Sequence, residues 1–310
     1  MEIYLPIAEL SVNLFTLLAI GAAVGFLSGM FGVGGGFLIT PLLILYHIPP
    51  AVAVGTGANQ VIATSVSGAL VHYKRQTIDF KLGIMLFLGG IAGSSLGVLV
   101  FALLRRLGQL DLAISILYIV FLGIIGALML VESVSTIRKA RSNEPVAEDF
   151  NIKKSSFQEV IGRLPWKMKF GASKLYISVI PVLVLGIFIG FLSAIMGVGG
   201  GFIMVPAMIY LLKVPTNVVV GTSLFQIIFV SAYTTVIHAT ANHTVDIVLA
   251  ACLMIGGVIG AQYGANIGQK LKGEQLRSLL ALLVLAVALR IAYGLFVTPD
   301  SIYSIVQAGA

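Results

Sequence analysis

Apolar positions in this chain fall into long blocks separated by short polar segments. The blocks cover about 11–48, 52–73, 80–104 and 109–131, then 177–213, 218–239, 247–269 and 277–297. Most are near the ~20 residues that a helix needs to cross the hydrocarbon of a bilayer. The pattern predicts an all-α polytopic membrane protein. The first block of each set is too long for one span. As a continuous helix, 11–48 would be about 57 Å long, nearly twice the ~30 Å core. Gly32, Gly34, Gly35 and Gly36 fall inside it and Pro41 follows. This block should therefore break into a longer and a shorter helix.

The two sets are copies of one unit. Gly25 to Pro41 reads GFLSGMFGVGGGFLITP and Gly190 to Pro206 reads GFLSAIMGVGGGFIMVP, identical at eleven of seventeen positions. Further along, Gly55-Thr56 answers Gly221-Thr222, Gln60 answers Gln226, His72 answers His238 and Asp79 answers Asp246. The expected organisation is a first transmembrane repeat over 1–131, a basic linker over 132–176 and a second repeat over 177–310.

Composition supports the membrane reading. Hydrophobic residues make up 58% of the chain and charged residues 10%, with mean hydropathy +1.06, against roughly 25% charged in a soluble domain. The first block does not read as a signal peptide, since Glu2 and Glu9 precede it without a basic residue. The net charge of +7 lies in the loops, where it reads as membrane orientation rather than nucleic-acid binding. If each broken segment enters and returns as a hairpin, sixteen of the nineteen Lys and Arg fall on one side and only Arg105 and Arg106 on the other. If the broken segments cross instead, the best split is twelve against six. The hairpin arrangement inverts the second repeat relative to the first. It predicts a multi-pass protein of the plasma (inner) membrane, with both termini outside and the central loop cytoplasmic. Within that loop, Lys153, Lys154, Arg163, Lys167, Lys169 and Lys174 surround Phe157, Ile161, Leu164, Trp166 and Phe170. This reads either as an interfacial amphipathic helix on anionic lipid or as a solvated linker.

Candidate chemistry centres on the glycine breaks. GVGGG here lacks the strand–turn–helix context of a nucleotide fingerprint. Gly34, Gly35, Gly36 and Phe37, and likewise Gly199, Gly200, Gly201 and Phe202, should stand at the start of a short helix. Its first N–H groups have no intrahelical partner and favour an anion. Irregular backbone at membrane depth is tolerated where it is buried or lines a cavity, and paired broken helices build the midplane sites of many transporters. The next helix of each repeat carries Thr56, Asn59 and Gln60, or Thr222, Ser223 and Gln226. These are candidate neutral donors to an oxyanion, or interhelical hydrogen-bond partners.

Other features read more plainly. Gly89, Gly93 and Gly97, mirrored by Gly256, Gly260 and Gly264, read as a packing stripe. His72 and His238 read as solvated interfacial residues. Asp79 and Asp246 read as helix caps. Arg290, the single charge well inside a span, either faces an anion path or snorkels to the surface. Cys252, the lone cysteine, offers neither disulfide nor metal site. No nucleophile–base cluster and no GxxxxGK[ST] motif is present in the sequence. The expectation is a non-enzyme with no cofactor and no catalytic or metal-binding residues.

The paired glycine motif, with Gly-Thr and Gln downstream, resembles the sulfite exporter TauE/SafE family of membrane permeases. The resemblance covers nearly the whole chain outside the central loop, and the glycine turns map onto Gly32 to Gly36 and Gly197 to Gly201. It implies export of sulfite, sulfoacetate or a related anion. The resulting expectation is an alternating-access secondary transporter for a small sulfur-containing oxyanion. An anion channel and a permease for another organic anion stand as alternatives. Its partners would be a small anionic substrate, the lipid bilayer and a coupling proton or cation, with no nucleic acid. The sequence leaves the oligomeric state open.

Overall fold

The computed structural model describes residues 2–31, 34–141, 165–173, 175–268 and 273–296. They form two short β-hairpins and a bundle of helices. The first hairpin, β1 (Glu2–Leu5) with β2 (Leu10–Asn13), leads into α1 (Leu14–Phe31), α2 (Gly36–Leu45), α3 (Pro50–Lys74), α4 (Phe80–Arg106) and α5 (Leu110–Arg141). The second, β3 (Lys167–Phe170) with β4 (Leu175–Ser178), leads into α6 (Val179–Met196), α7 (Gly201–Tyr210), α8 (Thr216–Ile237), α9 (Ile247–Gly268) and α10 (Gly273–Phe296). A π-helical turn, His238–Asn242, extends α8. Five of the helices are long and apolar enough to cross a membrane.

Each overlong block breaks where its glycines fall. The 18 residues of α1 span about 27 Å and the 10 of α2 about 15 Å. Gly34 and Gly35, and Gly197, Gly199 and Gly200, all have φ between +68° and +82°. That is left-handed backbone, which side chains with a Cβ resist.

The hairpins were not foreseen. They occupy equivalent places in the two repeats, and each buries one apolar residue completely, Leu5 in the first and Phe170 in the second. Trp166 and Phe170 therefore belong to a hairpin and its entry rather than to an amphipathic helix; Phe157, Ile161 and Leu164 lie outside the described residues. The hairpin runs past the expected boundary at 176 to Ser178, and α5 continues past 131 to Arg141.

Contacts between helices exchange between the repeats. α1 packs along α9, while α6, its counterpart, packs along α4; α3 packs on α8 and α5 on α10. Glycine makes the first two pairings. A Cβ on Gly25 would run into the backbone of Gly257, one on Gly260 into Ala22, and one on Gly264 into Phe26. In the same way Gly93 meets the backbone of Ile187 and Gly190 that of Gly90. Both glycine stripes are thus internal seams, each joining one repeat to the other.

The same contacts give chain direction. A Cβ on Gly55, early in α3, would touch Thr244, just before α9. One on Gly221, early in α8, would lie 3.0 Å from His72 Cβ, late in α3. So α3 and α8, equivalent helices, run antiparallel. Along α1 and α9, higher residue numbers meet higher ones, so this pair is parallel. The backbone N–H of Asp246, at the head of α9, donates to Thr56 Oγ1 at 3.0 Å, near the head of α3. α1 and α3 therefore start at the same end of the bundle. The chain enters along α1, turns at the glycines and returns along α2. α6 and α7 do the same from the opposite end, where Asp79 N–H donates to Thr222 Oγ1 at 3.0 Å.

Candidate functional site

The two glycine turns meet in the middle of the bundle. Gly35 and Gly200 are the left-handed N-caps of α2 and α7, with no side chain capping either helix. The first N–H groups to bond back are those of Leu38, to Gly35 O at 3.2 Å, and Met204, to Gly200 O at 2.8 Å. Gly36 and Phe37, and Gly201 and Phe202, precede these bonds, so each helix presents its positive end there. Phe37 and Phe202 are buried, and their rings stack with centroids 4.5 Å apart and planes at 19°. This stack brings the two positive ends side by side. A Cβ on Gly36 would strike the carbonyl of Val198 in the other turn.

α3 and α8 supply the surrounding walls. Val61 and Ile227, equivalent in the two repeats, each reach both Gly34 and Gly199. One helical turn further stand Ser65 and Ser231, fully buried. Ser65 Oγ lies 3.1 Å from the Cβ position of Gly34, and Ser231 Oγ 2.9 Å from that of Gly199. Neither hydroxyl has a hydrogen-bond partner. An unpaired buried hydroxyl costs about 1–3 kcal/mol. These serines were not singled out in the sequence. The signal was available, because they keep the register that links Gln60 to Gln226.

The other candidates face elsewhere. Thr56 and Thr222 accept the backbone N–H of Asp246 and Asp79, at opposite ends of the bundle. Gln60 Nε2 donates to Gly21 O at 3.0 Å, in the α1–α9 seam. Gln226 lies against Gly90 in the α4–α6 seam, and neither atom of its amide has a partner. Asn59 donates to Thr56 O and Ser223 to Val220 O. The structure gathers Gly34, Gly35, Gly36, Phe37, Gly199, Gly200, Gly201 and Phe202 into one cluster and spreads the polar side chains of α3 and α8 around it.

Both ends of the bundle are strapped. Asp79 caps α4 through Leu82 N–H, and its Oδ2 accepts from the N–H and Oγ of Ser173, each at 2.9 Å. Asp246 caps α9 through the N–H groups of Val248 and Leu249, and its Oδ2 accepts from Ile7 N–H at 2.9 Å. Each hairpin is thus held by the carboxylate of the other repeat. The capping expectation holds, and the strap is an added duty. Lys74, Arg75, Lys81, Lys167, Lys169 and Lys213 gather at the Asp79 end, while Arg105 lies at the other, donating to Asn242 O at 2.7 Å.

Two expectations change. His238 is not solvated. It is fully buried, with Nε2 2.9 Å from Ala194 O, Nδ1 3.1 Å from Asn242 Nδ2, and its ring edge-on to Phe101. The π-helical turn that begins at His238 carries Asn242 round to meet it. Arg290 is exposed on the bundle surface with its guanidinium 6.0 Å from the Tyr293 ring, so it does not face the central cluster. Cys252 is a buried free thiol. No cluster of potential metal ligands occurs among the described residues.

Comparison with known proteins agrees with this architecture. The family model for "Sulfite exporter TauE/SafE" matches residues 17–291. The chain is 30% identical over 290 residues to "Probable membrane transporter protein YunE" of Bacillus subtilis, covering 90% of this chain and 98% of that protein. It is 26% identical over 276 residues to "Probable membrane transporter protein YjnA" of the same organism, covering 89% and 98%. A relative from Methanocaldococcus jannaschii, "Probable membrane transporter protein MJ0441", is 25% identical over 86% of this chain and 90% of its own. No solved structure matches the chain. With its paired glycine turns inside a bundle of apolar helices, the chain is a multi-pass membrane transporter and belongs to the sulfite exporter TauE/SafE family.

Proposed function

We propose that this transporter exports a small sulfur-containing oxyanion, such as sulfite, sulfoacetate or a related organosulfonate, by alternating access. The observation that carries the reading is the pair of uncapped helix N-termini held side by side by Phe37 and Phe202. Such ends bind anions through free N–H groups and aligned dipoles. The family description supplies sulfite as the substrate class. No catalytic step is part of this reading.

The two repeats sit inverted in the bilayer, with the Asp79 end cytoplasmic and both chain termini outside. Antiparallel α3 and α8 support this arrangement, as do the six basic residues at the Asp79 end. Access alternates when one strapped end loosens while the other stays closed, and rocking of packed bundles around a fixed central site does this in inverted-repeat transporters. Flux of sulfite, sulfoacetate, sulfate and chloride into proteoliposomes tests the proposal. Saturable flux with sulfite ahead of chloride is expected, whereas equal rates for all four would overturn the selectivity. High unitary conductance would indicate a channel.

A further inference from the structure

We infer that Ser65 and Ser231 hold the transported anion at the glycine turns and that it binds there with a single negative charge. This rests on the reading of the turns as the substrate site. Two independent observations carry it.

The first is the state of the two hydroxyls. Helical Ser and Thr readily bond back to their own helix, and this bundle shows the habit repeatedly. Thr64 donates to Gln60 O, Ser95 to Ile91 O, Ser223 to Val220 O and Thr240 to Val236 O. Ser65 and Ser231 do not, although both are fully buried. The hydroxyls of Thr40, Thr234, Thr235 and Thr244 are unpaired as well, but of these hydroxyls only the two serines stand at equivalent positions of the two repeats. Each faces the turn of its own repeat, and Val61 and Ile227 place the two turns within one side chain of each other. Two idle donors at equivalent positions, beside two helix N-termini, suit an acceptor that comes from outside the chain.

The second is charge. Among the described residues no Lys or Arg is buried, and the buried Asp79 and Asp246 lie at the two ends of the bundle. The only positive potential at the cluster comes from the helix ends, roughly half a unit each, which together offset about one negative charge. A second charge would stand uncompensated in a desolvated place, where the cost of an ion rises steeply. The site therefore suits hydrogensulfite or a simple alkanesulfonate. Doubly charged sulfite, sulfate and sulfoacetate fit it less well, which narrows the substrates proposed above to their singly charged members. Doubly charged sulfite takes up one proton near neutrality and becomes hydrogensulfite, so its transport should depend on pH, while that of an alkanesulfonate should not.

The test uses the full chain in proteoliposomes, with methanesulfonate and sulfate as probes and sulfite in mildly acid and mildly alkaline buffer. Methanesulfonate should outpace sulfate by at least about ten-fold, the equivalent of one modest interaction. Sulfite flux should rise on the acid side while methanesulfonate flux stays level. Ser65→Ala and Ser231→Ala should each weaken apparent methanesulfonate affinity about ten-fold, as loss of a hydrogen bond to a charged group predicts. Their ligand-free Tm should hold or rise, because an idle buried hydroxyl is removed. Sulfate keeping pace with methanesulfonate overturns the inference and leaves the transport reading standing. So does wild-type affinity in the double variant, or a fall in ligand-free Tm that assigns the hydroxyls to the fold. Absence of flux for every anion overturns the transport reading and this inference with it.

Discussion

At the scale of single residues, glycine decides where helices meet. Gly25→Ala would drive a methyl group into the backbone of Gly257, and backbone cannot rotate away as a side chain can. Overpacking of this kind costs about 1–3 kcal/mol, so a Tm several degrees below wild type is expected in detergent. Gly123→Ala is the control, since nothing lies within 4 Å of its Cβ position, and its Tm should be unchanged. Sequence alone marked the glycine turns and the Phe that follows each, because a run of glycines in an overlong apolar block has few other uses. It did not separate Ser65 from the other small polar residues of α3. Serine, threonine, asparagine and glutamine all break the apolar pattern alike, and only the fold shows which of them lacks a partner. Thr56 and Thr222 stood out for the same polarity, yet their hydroxyls accept cap N–H groups of the opposite repeat.

At the scale of elements, the straps couple each hairpin to a helix it does not adjoin in sequence. Asp79→Ala removes the cap of α4 and both bonds to Ser173. A lost cap costs about 1 kcal/mol and each further bond a similar amount. Hydrogen exchange should quicken in β3 and β4 and leave β1 and β2 untouched, whereas Asp246→Ala should do the reverse through Ile7. Equal effects on both hairpins would show that the straps do not act separately. The helices themselves were legible from apolar block lengths. The hairpins were not, because strands of four residues carry too short an alternation to stand out beside blocks of twenty. The exchange of partners was hidden for a different reason. A glycine stripe declares that something approaches closely, and it carries no information about which helix does so.

At the scale of the whole molecule, orientation can be read with cysteines in a Cys252→Ser background. Gln109→Cys, beside Arg105 and Arg106, should react with an impermeant thiol reagent added outside intact cells, and Gln76→Cys, beside Lys74, should not. The opposite result would reverse the proposed topology. Charge counting favours an in-and-back path for α1 and α2, and the shared starting end of α1 and α3 is consistent with that path. The crossed seams also bear on how the protein is made. α1 leaves the ribosome well before α9, yet the groove that receives it is on α9, more than two hundred residues later. Through most of synthesis α1 has to wait with its glycine face against lipid or a helper protein. Neither repeat can complete its own packing before the other arrives, so a lone first half should be unstable in the membrane, and two halves made as separate chains should rescue each other.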